Sequence, residues 1–228
     1  MFENNNKNMY SATAKTGIEP TFYGKVMTFF ALAIFMSAAG TYVTATYFMQ
    51  YFVNSPGLMY LLFAVELGIV FTSRTWSTKI PLNRFLFALF AFITGVTVAP
   101  LIAVLLTSPG GTAVLVKALV ATGFMFSASA LFGSTTHMDL SGMRGFLLTT
   151  LIGMIVVAVL GIFFPWGNTM ELVYSGIGIL LFSAFTAYNM QNLKRYPEDR
   201  YIDAALSLYL DIFNMFIFIL RFMMASRD

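Results

Sequence analysis

The amino-acid sequence predicts an all-α polytopic membrane protein, a bundle of seven transmembrane helices. Three observations carry that prediction. Hydrophobic residues make up 58% of the chain and charged residues 10%, whereas soluble domains are about 25% charged. Seven windows of about 17–25 predominantly apolar residues follow one another, the length that spans a hydrocarbon core. The connections between them alternate strictly in charge. The 228 residues suit one such bundle, with no room for a second soluble domain.

The windows lie near 26–50, 57–73, 85–107, 112–134, 146–165, 172–193 and 202–223. The second is the shortest. Alternate gaps carry turn signals, NSPG (54–57), SPGG (108–111) and PWGN (165–168), and no Lys or Arg. The remaining connections hold Lys7, Lys15 and Lys25, then Arg74, Lys79 and Arg84, then Arg144, then Lys194, Arg195 and Arg200. By the positive-inside rule the N-terminus is expected in the cytoplasm. The same rule accounts for the net charge of +3, so no nucleic-acid partner is expected. The last window is long enough to cross fully, although Arg227 near its end would also suit a re-entrant return.

Two regions are expected: a polar, Asn-rich, flexible tail over 1–22 and a membrane domain over 23–228. The tail has no short apolar core before a cleavage site, so it does not read as a signal peptide. There is no cysteine, which excludes disulfides, iron–sulfur clusters and thiolate metal sites.

The last window, ALSLYLDIFNMFIFILRFMM, carries Asp211 near its middle. An ionised carboxylate in hydrocarbon costs several kcal/mol, so such a residue marks a site by default. At about 100° per residue, Asp203, Ser207, Asp211, Asn214 and Arg221 fall within roughly 80° of one face. A stripe of this kind belongs in a bundle interior or a water-filled cavity. Arg221 lies ~15 Å along the helix from Asp211, too far for direct pairing, and is expected to snorkel, as is Lys117. Asp203 suits the start of the helix, where a negative charge meets the positive end of the dipole. Glu66, within LLFAVELGIVF, either bonds a neighbouring helix or shares the site of Asp211. Asn189, near the end of the sixth window, is an interfacial polar residue or a partner of Asp211. Thr94, Gly95, Thr97 and Pro100 suggest close packing and a kink in the third window.

Enzyme signatures are missing. There is no HExxH, nucleophile elbow or P-loop. Gly176–Ile177–Gly178 lacks a third glycine and lies in an apolar span. Ser134, His137 and Asp139 share one loop, whereas a triad is assembled from distant segments. A non-enzymatic protein is expected.

Four segments resemble the Bax inhibitor-1 family: ALSLYLDIFNMFIFILRF, the most specific, with FALFAFITGVTVAPL (87–101), FSAFTAYNMQNLKR (182–195) and FAVELGIVF (63–71). The resemblance covers the whole membrane region. It implies a seven-helix bundle with the C-terminal helix at its centre, and a bacterial inner-membrane location. It implies a pH-sensitive cation (calcium) leak channel in which a carboxylate on the sixth helix pairs with one on the seventh, and an arginine after the second helix helps hold the closed state. Asp211 matches the seventh-helix acid and Arg74 approximates the arginine, but the sixth-helix position falls on Asn189. Two close carboxylates can share a proton and act as a switch; an Asp–Asn pair cannot. Calcium takes six to eight oxygens, so only a weak calcium site at Asp211 is implied, with no other cofactor. The candidate ion or proton site is therefore Asp211, Asn189 and Glu66, with Arg74, Asn214 and Asp203 in support. The expected partners are the lipid bilayer and calcium or protons. Some bacterial relatives are similar to inhibitors of a membrane-anchored, ATP-dependent protease, which makes a membrane protease or other membrane protein the alternative partner, reached through the tail.

Overall fold

The computed structural model describes residues 21–227, all of whose regular elements are helices. Seven helices of 16 to 26 residues follow the windows read from the sequence. They are α1 (Phe22–Val43), α2 (Pro56–Phe71), α3 (Leu82–Thr107), α4 (Gly111–Thr135), α5 (Met143–Phe163), α6 (Asn168–Asn192) and α7 (Tyr201–Ala225). The expected tail over 1–22 falls almost wholly outside the described residues.

Six of these rods are long and apolar enough to cross a membrane. The 16 residues of α2 rise only about 24 Å, short of a ~30 Å hydrocarbon layer. The expected count of seven crossings therefore rests on six helices of full length and one shorter apolar helix. The first rod is not a plain α-helix. Thr44–Phe48 form a π turn that carries α1 into a further short segment, Met49–Asn54. A π turn needs no special composition, which is why the windows do not show it.

The C-terminal helix is the hub, packing against α1, α3, α4 and α6, while α2 leans on α3 and α5 on α6. Its start meets the α2–α3 connection, where Ser77 Oγ donates to Asp203 Oδ2 at 2.9 Å. Its far end meets the α3–α4 connection, where Arg227 donates to the Pro109 carbonyl. It thus traverses the whole bundle, and the re-entrant alternative does not hold. Each end gathers one class of connection. The basic ones meet at one end, where Arg195 pairs with Asp139 at 3.4 Å. The connections without charge meet at the other.

Small residues let the rods close up. A Cβ on Gly95 would collide with the Ser37 backbone, and one on Gly40 with the Phe92 carbonyl, so α1 and α3 touch backbone to backbone. Gly133 sits in the same way against Ala187, joining α4 to α6. These contacts bear out the packing role expected of Gly95. Around the α1–α3–α7 junction, Phe87 and Phe90 meet Tyr209 edge-on at 6.1 and 5.9 Å between ring centroids. The Tyr209 hydroxyl bonds Ser37 Oγ at 3.0 Å and also Thr94 Oγ1. A second apolar cluster, including Leu105, Phe182, Met215 and Leu220, fills the half of the bundle away from the basic end.

Candidate functional site

α7 supplies a carboxylate to the interior because its other faces are apolar and packed on four neighbours. Asp211 is 3% exposed, and its Oδ2 accepts a 2.7 Å hydrogen bond from Asn189 Nδ2 on α6. The pairing joins the two positions matched to the family's acid pair, with an amide in place of the second acid. The interfacial reading of Asn189 gives way to this contact.

A cavity of about 810 Å³ reaches this pair from the basic end. Glu66 lies on its wall, as do Ser207, Asn214 and Thr94. Glu66 is half-buried, and its Oε1 accepts from Thr97 Oγ1 at 2.9 Å. Both sequence readings of Glu66 therefore apply in part: it bonds a neighbouring helix and faces the same cavity as Asp211. No hydrogen bond joins the two acids. Asn214 donates to the Leu210 carbonyl one turn back, at 2.7 Å, and lines the cavity. Three polar positions of the α7 stripe, Ser207, Asp211 and Asn214, thus face one space.

The supporting residues divide. Asp203 does not line the cavity. Ser77 and Arg200 hold its carboxylate, the latter at 3.4 Å, at the start of α7. Arg74 is exposed on the single helical turn Ser73–Trp76 and also lies off the cavity wall. Its charge is close enough to act on Asp203.

At the opposite end the structure holds an ion pair that the sequence reading missed. Arg221 is not a snorkelling side chain. Its Nε and Nη2 donate to the two oxygens of Glu171 at 2.6 and 3.0 Å. Trp166 Nε1 and Ser175 Oγ also donate to Glu171, at 3.0 and 3.2 Å. The guanidinium lies 5.8 Å from the Tyr174 ring centroid. Both residues line a second, smaller cavity of about 480 Å³. The signal for this pair was an acid in the first turn of α6 and a base in the last two turns of α7, helices that end at the same side.

The GSTTHMD loop makes no triad-like contacts. Ser134 donates to the Leu131 carbonyl, His137 is exposed, and Asp139 accepts from the Ser141 amide. That amide, with the Arg195 guanidinium, holds the Asp139 carboxyl below its usual range. Among the described residues no three His, Asp or Glu side chains cluster as a metal cage would require.

Comparison with known proteins agrees with the geometry. Residues 19–228 match the family described as Inhibitor of apoptosis-promoting Bax1. The chain belongs to the Bax inhibitor-1 family. An uncharacterized protein of Campylobacter jejuni is 30% identical over 84% of this chain and 83% of its own length. The inner membrane protein YbhL of Escherichia coli is 31% identical over 75% of this chain and 80% of its own. A BI1-like protein of Arabidopsis thaliana is 33% identical over 74% of this chain and 65% of its own. The Bax inhibitor-1 resemblance in the sequence thus holds across the entire membrane region. The inner-membrane description belongs to the Escherichia coli relative.

Proposed function

We propose that this Bax inhibitor-1 protein is a cation leak pathway of the inner membrane, with Asp211 as its central ion or proton site. The observation that carries this reading is the cavity that runs from the basic end to Asp211, with Glu66 on the same wall. A buried carboxylate reached by a cavity can take a proton or a passing cation, and either event changes its bond to Asn189. That change biases the packing of α6 on α7 and so the open against the closed state. Asp211, the Asn189 amide oxygen and Glu66 offer too few oxygens for a tight calcium cage, which suits transit of calcium rather than storage. The amide at 189 removes the shared proton of an acid pair, so the pH response is shallow. The basic end faces the cytoplasm; reporter fusions after residues 80 and 167 would give opposite signals, and like signals would overturn the orientation. The ion reading is tested by calcium efflux from liposomes. Asp211→Asn should change the flux while leaving the unfolding transition in place, and an unchanged flux sinks the proposal.

A second reading takes the polar, Asn-rich segment 1–22 as a contact arm for a membrane-anchored, ATP-dependent protease. Deleting residues 1–20 should then relieve an effect on the protease and leave flux intact. A deletion that behaves as the full chain does would remove this reading.

A further inference from the structure

Three arginines line the same cavity at its basic end: Arg144 in the first turn of α5, with Arg195 and Arg200 in the α6–α7 connection. Arg195 has one exposed partner, Asp139, at 3.4 Å, and Arg200 has Asp203 at the same distance. Arg144 is exposed and makes no hydrogen bond or ion pair among the described residues. A cation entering here would meet three guanidinium groups, while the two carboxylates that pair with them, Asp139 and Asp203, lie off the cavity wall. Guanidinium pairs suit a phosphate, which they grip through parallel N–H donors.

Below the arginines the wall becomes apolar. Arg144 is followed on the cavity side of α5 by Leu148, Leu151 and Ile155, at offsets of 4, 7 and 11 residues. That spacing keeps them on one helix face and carries the strip about 16 Å inward. Phe185 on α6 and Leu67 on α2 face it. The cavity also has an open side. α2 packs on α3 and α5 on α6, but no extended contact joins α2 to α5. Leu67, Leu148 and Ile155 are 55, 42 and 53% exposed between these two helices. In a bilayer that gap opens onto acyl chains rather than onto water.

We propose that the cavity binds one anionic phospholipid that enters sideways between α2 and α5. Its phosphate sits on Arg144 and Arg195, and one acyl chain lies along Leu148, Leu151 and Ile155. The volume is within the range of small-ligand sites, and basic pockets between membrane helices hold anionic headgroups elsewhere. The bound phosphate neutralises the mouth that a cation must pass. The binding does not depend on the ion-pathway reading, since its test measures no flux.

The full chain in neutral detergent is titrated with dioctanoyl phosphatidylglycerol, dioctanoyl phosphatidylcholine and inorganic phosphate, with stoichiometry read by native mass spectrometry and affinity by thermophoresis. The expected result is saturable one-to-one binding of phosphatidylglycerol and none of comparable strength for the other two. Arg144→Gln should weaken it about 5-fold, and Arg144→Gln with Arg195→Gln about 30-fold. Equal binding of phosphatidylcholine would leave an apolar groove without a headgroup site. Equal binding of inorganic phosphate would assign the arginines to a soluble anion. Either result, or a double variant that binds as wild type does, overturns the proposal. A second variant, Leu148→Trp, keeps both arginines. Phosphatidylglycerol with a brominated acyl chain should quench its added fluorescence, and no quenching at saturation would overturn the acyl-chain placement.

Discussion

Tyr209 lies two residues before Asp211 and ties the central helix to two others, so its removal tests how the site is held. The residue is 1% exposed. Its hydroxyl bonds Ser37 on α1 and Thr94 on α3. Tyr209→Phe deletes both bonds but strands neither partner. Ser37 Oγ still donates to Ala33 at 2.8 Å, and Thr94 Oγ1 to Ala91 at 2.8 Å. The loss is therefore the net worth of two hydrogen bonds, about 1–2 kcal/mol, without an added desolvation penalty. Tyr209→Ala also removes the ring that meets Phe87 and Phe90 edge-on and stacks on Phe213 at 5.7 Å. Aromatic-to-alanine changes in tight cores cost about 3–5 kcal/mol. The two variants should differ by about 2–3 kcal/mol in reversible unfolding in mixed micelles titrated with sodium dodecyl sulfate. If Tyr209→Phe is as damaging as Tyr209→Ala, the ring packing contributes nothing and the reasoning fails. If it costs nothing, the buried hydroxyl network is not holding α7.

Two further predictions use the same assay. Gly95→Ala places a methyl group into the Ser37 backbone and should cost about 3 kcal/mol, whereas Gly68→Ala meets nothing within 4 Å and should be neutral or slightly stabilising; equal effects would refute the close approach of α1 and α3. Glu171→Ala strands Arg221, Trp166 Nε1 and Ser175, and should cost about 2 kcal/mol, moderated because the Arg221 side chain is 37% exposed. Glu171→Gln, which keeps an acceptor, should cost less, and the reverse order would contradict the bidentate geometry.

Most of the fold was legible because hydrophobic length and loop charge report directly on membrane crossing. All seven windows coincide with helices, within a few residues at their ends. The short second window already pointed to the shortness of α2; what the windows hid was the π turn at Thr44–Phe48, which does not change composition. Within the site, Asp211 announced itself as a charge in an apolar run. Asn189 did not, because an amide near a helix end is unremarkable until the register of α6 against α7 is known. Its contact with Asp211 came from the resemblance rather than from spacing. Glu66 faces the same cavity as Asp211, but its hydrogen bond goes to Thr97, which depends on the packing of α2 on α3. The Glu171–Arg221 pair escaped notice because its members are 50 residues apart and meet only once both helices have crossed. Arg74 joined the acid site through the resemblance, and Asp203 through its place on the polar stripe of the last helix. Arg74 stays off the cavity wall on the turn Ser73–Trp76 after α2, and Asp203 stays off it at the start of α7, held by Ser77 and Arg200.

In the proposed pathway Asp211 is the ion or proton site and Asn189 sets its pH response. The most direct measurement is calcium efflux from liposomes holding purified wild type, Asp211→Asn or Asn189→Asp, at neutral and acidic pH. Wild type should leak with shallow pH dependence, Asp211→Asn should leak differently or not at all, and Asn189→Asp should show a steep pH dependence, because two acids can share a proton. Equal flux through all three proteins at both pH values would contradict this pathway.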